Sequence, residues 1–261
     1  MEAAQSEYRV EALARGLRIL SAFSEQRAAL PLKRIAELTE IPLPTAFRLV
    51  ATLEAEGFVE RLPSGEYQPG PGVLTLGFAA LQGNDLVDTA QAPLRKLAAD
   101  TGQSVNLGAL HGDQVLYLAR IRNEARLVTS NVQVGSLLPA AVTSMGKLLL
   151  AELPKVELDE LLRHMRFERR WGPNAPRTAG ALRSRLTAVR KQGWSSQDEE
   201  LTIGLRSIAG PVRGPDGAVV AAVNIAVPAS ELTLAKLVSS MRAPLLHACA
   251  DISRRLGAPA A

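Results

Sequence analysis

The feature that most constrains this chain is a pair of prolines, Pro42 and Pro44, set between two short apolar-periodic segments. A helix cannot continue through them. The segment before them, LKRIAELT, follows Pro31 and places Leu32, Ile35, Ala36 and Leu38 as its apolar positions, which predicts a short helix. The segment after them, PTAFRLVATLEAE, begins on Pro44, whose missing N–H costs nothing in a first turn. It stops at Gly57, a glycine placed to follow a helix end. Ala46, Leu49, Val50 and Leu53 make its inner stripe, while Thr45, Arg48, Ala51 and Thr52 point the other way, with Phe47 on the flank. Upstream, residues 9–24 carry Val10, Leu13, Ala14, Leu17 and Leu20 along one stripe of an amphipathic helix. Downstream, FVERL and EYQPG flank a Pro-Ser-Gly turn as two short strands of a hairpin. Three helices and a hairpin in this order describe a winged helix-turn-helix.

Such a domain reads DNA when its third helix presents small or polar residues and a donor for base edges or phosphates. Thr45, Arg48 and Thr52, at i, i+3 and i+7, fill that role. Arg48 has the reach for a bidentate guanine contact, and the two threonines suit phosphates or a thymine methyl. Lys33 and Arg34 at the start of the second helix suit backbone contact, and Arg61 on the hairpin suits the adjacent minor groove. Residues 1–70 carry eight basic and ten acidic residues, a balance of −2, but residues 27–52 carry four bases (Arg27, Lys33, Arg34, Arg48) against Glu37 and Glu40. The expected DNA face is therefore positive although its domain is not. Winged helices also serve as protein-interaction modules, and that reading stays open beside DNA binding. One such domain contacts too little DNA for tight specific binding, so paired half-sites and a dimer or tetramer are expected.

The rest of the chain changes character. Residues 71–82 read as a Leu- and Ala-rich helix suited to a dimer seam, Gly83-Asn84 break it, and a second helix with Pro93 inside it runs to Gly102. The domains expected are a DNA-binding domain over 1–70, a linker and dimerisation helix over 71–85, and a sensor domain over 86–261. From residue 104 the period shortens: SVNLGAL, QVLYLARI and ARLVTSNV read as strands, as do WSSQDEE, LRSIAGPVR and AVVAAVNIAV. Helices are expected near 141–152, 155–164, 181–193 and 231–256. A mixed sheet with helices packed on it gives an α+β chain whose second domain is a mixed α/β sensor. Residues 163–191 hold nine bases and one acid, Glu168, and are expected to be a solvated loop and helix face.

Composition removes several classes of function. Apolar residues are 47 % and aromatics 4 %, so the core is mainly aliphatic, and no apolar run approaches the roughly 18 residues of a membrane span. The N-terminus has no secretory pattern, which points to the cytoplasm. A single cysteine, Cys249, permits no internal disulfide, and His111, His164 and His247 show no metal-ligand spacing. Ser144, His164 or His247, and Asp198 do not form a nucleophile elbow, and no phosphate-binding glycine loop is present, so neither an enzyme nor a cofactor is expected.

Three segments together resemble the IclR-type bacterial transcriptional regulators: LPLKRIAELTEIPLPTAFRLVATLEAEGFVER, VGSLLPAAVTSMGKLLLAELP, and QGWSSQDEELTIGLRSIAGPVRGPDGAVVAAVNIAV. The resemblance covers about residues 9–256, and the VGS.LP…TSMGK form resembles the branch that controls aromatic-acid breakdown. It implies a GAF-like effector domain that binds a small organic acid. Carried over by motif, Leu127 and Leu138 are pocket walls, Ser144 and Met145 offer backbone amides at a helix N-terminus, and Asp198, Leu205, Ser207, Asn224 and Ala226 complete the ring. A helix N-terminus suits a carboxylate on physical grounds as well, because its amides are free and its dipole is positive there. The chain departs from the family pattern at Glu40, where the turn usually carries glycine, and at Leu43-Pro44, where a KS or RS pair is usual. A second basic residue after Arg48 is also missing, since Leu49 stands there.

Overall fold

The computed structural model describes residues 8–23, 27–82, 85–122 and 132–259. The chain divides into two compact units, residues 1–83 and 84–261.

The first unit contains α1 (Glu11–Ser21), α2 (Leu32–Thr39), α3 (Leu43–Ala55), β1 (Val59–Arg61), β2 (Tyr67–Pro69) and α4 (Pro71–Gln82). Pro31 in extended conformation leads into α2, and α3 starts at Leu43 with Pro44 in its first turn. Ile19, Ile35, Ala46, Val50 and Val59 are at most 1 % exposed, and with Leu30, Ile41 and Tyr67 they form the core. Each fully buried Ile or Val contributes about 1.5–3 kcal/mol relative to exposure. β1 and β2 pair antiparallel, and Leu30 exchanges two backbone hydrogen bonds with Tyr67, at 2.9 and 2.8 Å, tying the entry to α2 onto the hairpin. The α2–α3 turn rests on Glu40 in the left-handed region, φ 56° and ψ 34°.

One expectation for α1 is corrected. Val10, Leu13 and Leu17 do not face the core: they are 63 %, 63 % and 55 % exposed. Ile19 and Ala22 anchor α1 inward instead. The helix carries apolar residues on two sides, and Leu17 and Ile19, two residues apart, lie on opposite ones.

The second unit begins with α5 (Asp85–Thr101), followed by β3 (Ser104–His111), β4 (Gln114–Ile121), β5 (Leu137–Pro139) and a 3₁₀ turn at Ala140–Val142. Then come α6 (Ser144–Glu152), α7 (Lys155–His164), α8 (Ala179–Gln192), β6 (Ser195–Asp198), β7 (Leu205–Arg213), β8 (Val219–Pro228) and α9 (Leu234–Arg255). The strand order is β5-β4-β3-β8-β7-β6, and every pairing among the described residues is antiparallel. The sheet is thus antiparallel where a mixed one was expected. Tight turns join β3 to β4 and β7 to β8, and these admit only antiparallel neighbours. The strand expected over ARLVTSNV lies, except for Val132, outside the described residues.

One sheet face, with Val105, Leu107, Ile208, Val223 and Ile225, packs on α5 and α9. The other face packs on α6, with α8 behind it. α6 is capped by Thr143, whose hydroxyl accepts the Gly146 N–H at 3.1 Å. Gly146 is required for this packing, because a Cβ there would stand 2.3 Å from the Ala140 Cα and carbonyl oxygen. In β4, Leu118 has no partner on β3: Leu107 faces Ala119 and Gly108 faces Tyr117. This bulge places Tyr117 and Arg120 on the same sheet face although they are three residues apart.

Candidate nucleic-acid interface and ligand cavity

α3 presents the residues expected of a recognition helix. Arg48 and Thr52 are exposed, Thr45 is half-buried, and Ala46 and Val50 are buried on the opposite side. The Thr52 hydroxyl donates to the Arg48 carbonyl at 3.0 Å, which fixes its direction along the helix. Lys33 and Arg34 are exposed on α2, but only Arg34 has an acid partner among the described residues, Glu37 at 3.0 Å. The Arg61 guanidinium on β1 lies over the Tyr67 ring, 5.8 Å from its centroid. Leu43 and Phe47 are 48 % and 56 % exposed beside these residues.

The second unit holds a cavity between one end of the sheet and the start of α6. Its volume is about 60 Å³, several times what a single water needs. Leu138, Leu205, Ser207, Asn224 and Ala226 line it, as the resemblance implies. Ser144, Met145 and Asp198 do not line it. Ser144 is fully buried and its hydroxyl bonds that of Ser207 at 2.6 Å. Met145 is fully buried and packs toward Gly108. Asp198 pairs with Arg206 at 2.6 Å, whereas its neighbour Gln197 lines the cavity. Adjacent strand residues point to opposite faces, so only one of the two can do so. Leu127 lies outside the described residues.

Beside Ser207 and Asn224, the structure adds polar lining residues that the sequence did not single out. Twelve polar or charged residues are buried among those described, and six of them line the cavity: Gln103, Asn106, Thr143, Gln197, Ser207 and Asn224. Burying polar groups costs free energy that hydrogen bonds must offset, and half of the buried polar residues described are gathered at this cavity. The Asn106 amide donates to the Asn224 carboxamide at 2.7 Å across paired strands. Arg120, directly opposite Asn106 on β4, is the single charged residue among the described lining residues. It donates to the Val132 carbonyl. Burial and the nearby Arg122 hold its pKa below the ordinary arginine value, and an anion beside it would offset both. Burial pushes the Tyr117 hydroxyl up, so it is a neutral donor in the wall. The signal available in the sequence was polar residues at strand positions that point into the core.

The basic segment 163–191 is largely engaged in structural contacts. Arg177 donates to the carbonyls of Glu168, Trp171 and Gly172, and Arg190 to those of Ala151 and Leu153. Arg183 pairs with Asp159, and Arg185 with Glu200.

Residues 12–63 match the IclR helix-turn-helix domain, and residues 78–254 match the C-terminal domain of IclR bacterial transcriptional regulators. The chain belongs to the IclR family. It is 35 % identical over 244 residues to a Pca regulon regulatory protein of Pseudomonas putida, covering 94 % of this chain and 83 % of that one. This likeness agrees with the aromatic-acid branch to which the TSMGK segment points. It is 30 % identical over 252 residues to the transcriptional regulator XynR of Escherichia coli, covering 96 % and 99 %. Among solved structures it resembles an IclR homologue of Microbacterium hydrocarbonoxydans complexed with 4-hydroxybenzoate, at 26 % identity and a TM-score of 0.78, covering 94 % and 99 %. The IclR relatives are transcriptional regulators, not enzymes, and this chain is a transcriptional regulator with a DNA-binding helix-turn-helix and an effector-binding domain. No helix among the described residues is long and apolar enough to cross a membrane.

Proposed function

We propose that this IclR regulator binds a pseudo-palindromic double-stranded DNA operator as a dimer or dimer of dimers, and that a small organic acid, of aromatic type, switches it. The observation that carries the ligand class is Arg120, the one charged side chain among the described residues of the cavity wall, the others being neutral polar or apolar. A guanidinium is suited to a carboxylate because it can donate two parallel hydrogen bonds. The 4-hydroxybenzoate complex of the related structure supports the aromatic class. Self-association is supported by the apolar residues that the single chain leaves exposed, Val10 just before α1, Leu13 and Leu17 on it, and Leu74 and Leu76 on α4. The ligand switches the protein only if it binds one spacing of the DNA-binding heads better than another, and about 1–3 kcal/mol of coupling suffices.

Calorimetry with a panel of aromatic and dicarboxylic acids tests the ligand, using the parent and Arg120→Gln. At least one aromatic acid is expected to bind, and Arg120→Gln is expected to weaken it by about 1.5–3 kcal/mol, a factor of about 10–150. Binding by no member removes the acid from the proposal. Unchanged binding by Arg120→Gln removes the arginine from it. A gel shift on the DNA upstream of the chain's own gene tests the operator.

A further inference from the structure

The acidic run Asp198-Glu199-Glu200 faces away from the cavity, and all three residues are held by cations. Asp198 and Glu199 pair with Arg206, at 2.6 and 3.3 Å. Glu200 pairs with Lys147 of α6 and, at 2.8 Å, with Arg185 of α8. The Lys147 and Glu200 side chains are 3 % and 6 % exposed. Burial pushes the lysine's pKa down and the glutamate's up, so removal from water is the leading effect on both. Apolar residues of similar volume commonly replace such a pair with no loss of stability, or with a gain. Stability alone therefore does not account for it.

What the pair adds is a fixed link between two parts of the cavity wall. On the strand side, the Glu200 N–H donates to Gln197 Oε1 at 3.0 Å, and Gln197 Nε2 donates to the Leu205 carbonyl at 3.1 Å. Gln197, Leu201 and Leu205 all line the cavity. On the helix side, Lys147 lies one turn after Thr143, which lines the cavity and caps α6, and after Ser144, which bonds Ser207. The segment at Glu199 and Glu200 is also closely packed against Gly172. The Gly172 N–H donates to the Glu200 carbonyl at 2.8 Å, and a Cβ on Gly172 would stand 1.8 Å from the Glu199 carbonyl oxygen.

We infer that Lys147 and Glu200 are positioning residues for the ligand cavity, their ion pair latching the β6–β7 loop to α6 so that both walls meet the ligand in one geometry. The inference rests on the reading of this cavity as the effector site. The test uses the full chain as parent, Glu200→Gln, Lys147→Met, the conservative Lys147→Arg, and the double variant Lys147→Met/Glu200→Leu. Titrations with benzoate, 4-hydroxybenzoate and adipate are read beside amide hydrogen exchange over residues 197–205. Glu200→Gln leaves the buried Lys147 without its carboxylate and Lys147→Met leaves Glu200 with Arg185 alone, so both are expected to lose stability. The double variant removes both buried charges, leaves the partly exposed Arg185 its bond to the Asn174 carbonyl, and is expected to keep the parent's thermal midpoint and its ligand-free operator binding. It is nevertheless expected to bind the acid about tenfold more weakly, with faster exchange over 197–205 and unchanged protection in β3 and β8. Lys147→Arg is expected to restore most of the affinity that Lys147→Met loses. A merely structural pair would move the thermal midpoint and leave the affinity of the folded double variant alone, so parental affinity and parental exchange in that variant overturn the inference. If the parent binds none of the three acids, the effector reading of the cavity fails for them, and exchange alone decides the latch: parental rates in the double variant refute it, and faster rates confined to 197–205 support it.

Discussion

Replacing Glu40 by glycine is expected to stabilise the DNA-binding unit. Glu40 holds the left-handed conformation at the end of α2, φ 56° and ψ 34°. An L-residue pays about 1–2 kcal/mol there, and glycine almost none. Glycine gives back about 0.4–1 kcal/mol through its freer unfolded chain. The Glu40 carboxylate makes no ion pair or hydrogen bond with the described residues, is exposed, and is not missed when removed. The net gain is about 0.5–1 kcal/mol, which slows amide exchange through global opening of α2 and α3 by about two- to fivefold. In a unit of this size it raises the thermal midpoint by about 2–8 °C. Hydrogen exchange on the full chain resolves the effect to α2 and α3. Glu40→Ala is the control, since it deletes the same charge and keeps the conformational cost. Equal protection in Glu40→Ala and Glu40→Gly would show that charge and not backbone geometry is responsible, and no gain in Glu40→Gly would refute the argument outright.

Three further outcomes are expected. Arg48→Ala weakens operator binding by about 1–3 kcal/mol in a gel shift at fixed salt, and parental binding would withdraw α3's arginine from base recognition. Gly146→Ala forces a Cβ against the Ala140 backbone and lowers stability by about 1–3 kcal/mol or more in thermal unfolding, with a parental midpoint counting against the close approach of the 3₁₀ turn to α6. Burial pushes the Cys249 thiol up to about 12, so at pH 8 about one molecule in ten thousand carries the thiolate; a thiol-specific reagent should label the chain only after denaturation, and rapid native labelling would contradict that burial.

The DNA-binding unit was largely legible in the sequence because its signals are local. Pro31, Pro42, Pro44 and Gly57 mark helix ends within a few residues, and α2 spans the LKRIAELT segment that the apolar spacing predicts. The orientation of α1 was not legible, since a helix with apolar residues on two sides does not say which side the rest of the unit will cover. In the second unit the strands were readable and their partners were not, because pairing depends on residues far apart: Asn106 meets Asn224 across 118 positions. β5 was missed since three residues, Leu-Leu-Pro, carry no period. At β6 the motif led to Asp198, while the pairing of Gln197 with Ser207 puts the amide on the cavity side.

The unpaired Leu118 has a consequence for anyone carrying residues from one family member to another. Odd-and-even counting along β4 holds up to that point and inverts beyond it, so Tyr117 and Arg120 belong to one surface despite their spacing. A homologue without the extra residue would bring the equivalents of Tyr117 and Arg120 to the same chamber at a spacing of two instead of three. Ligand preference in such relatives is better compared by which residue stands opposite Asn106 than by position number, since removing the unpaired Leu118 would leave Tyr117 and Arg120 two apart and still on one surface.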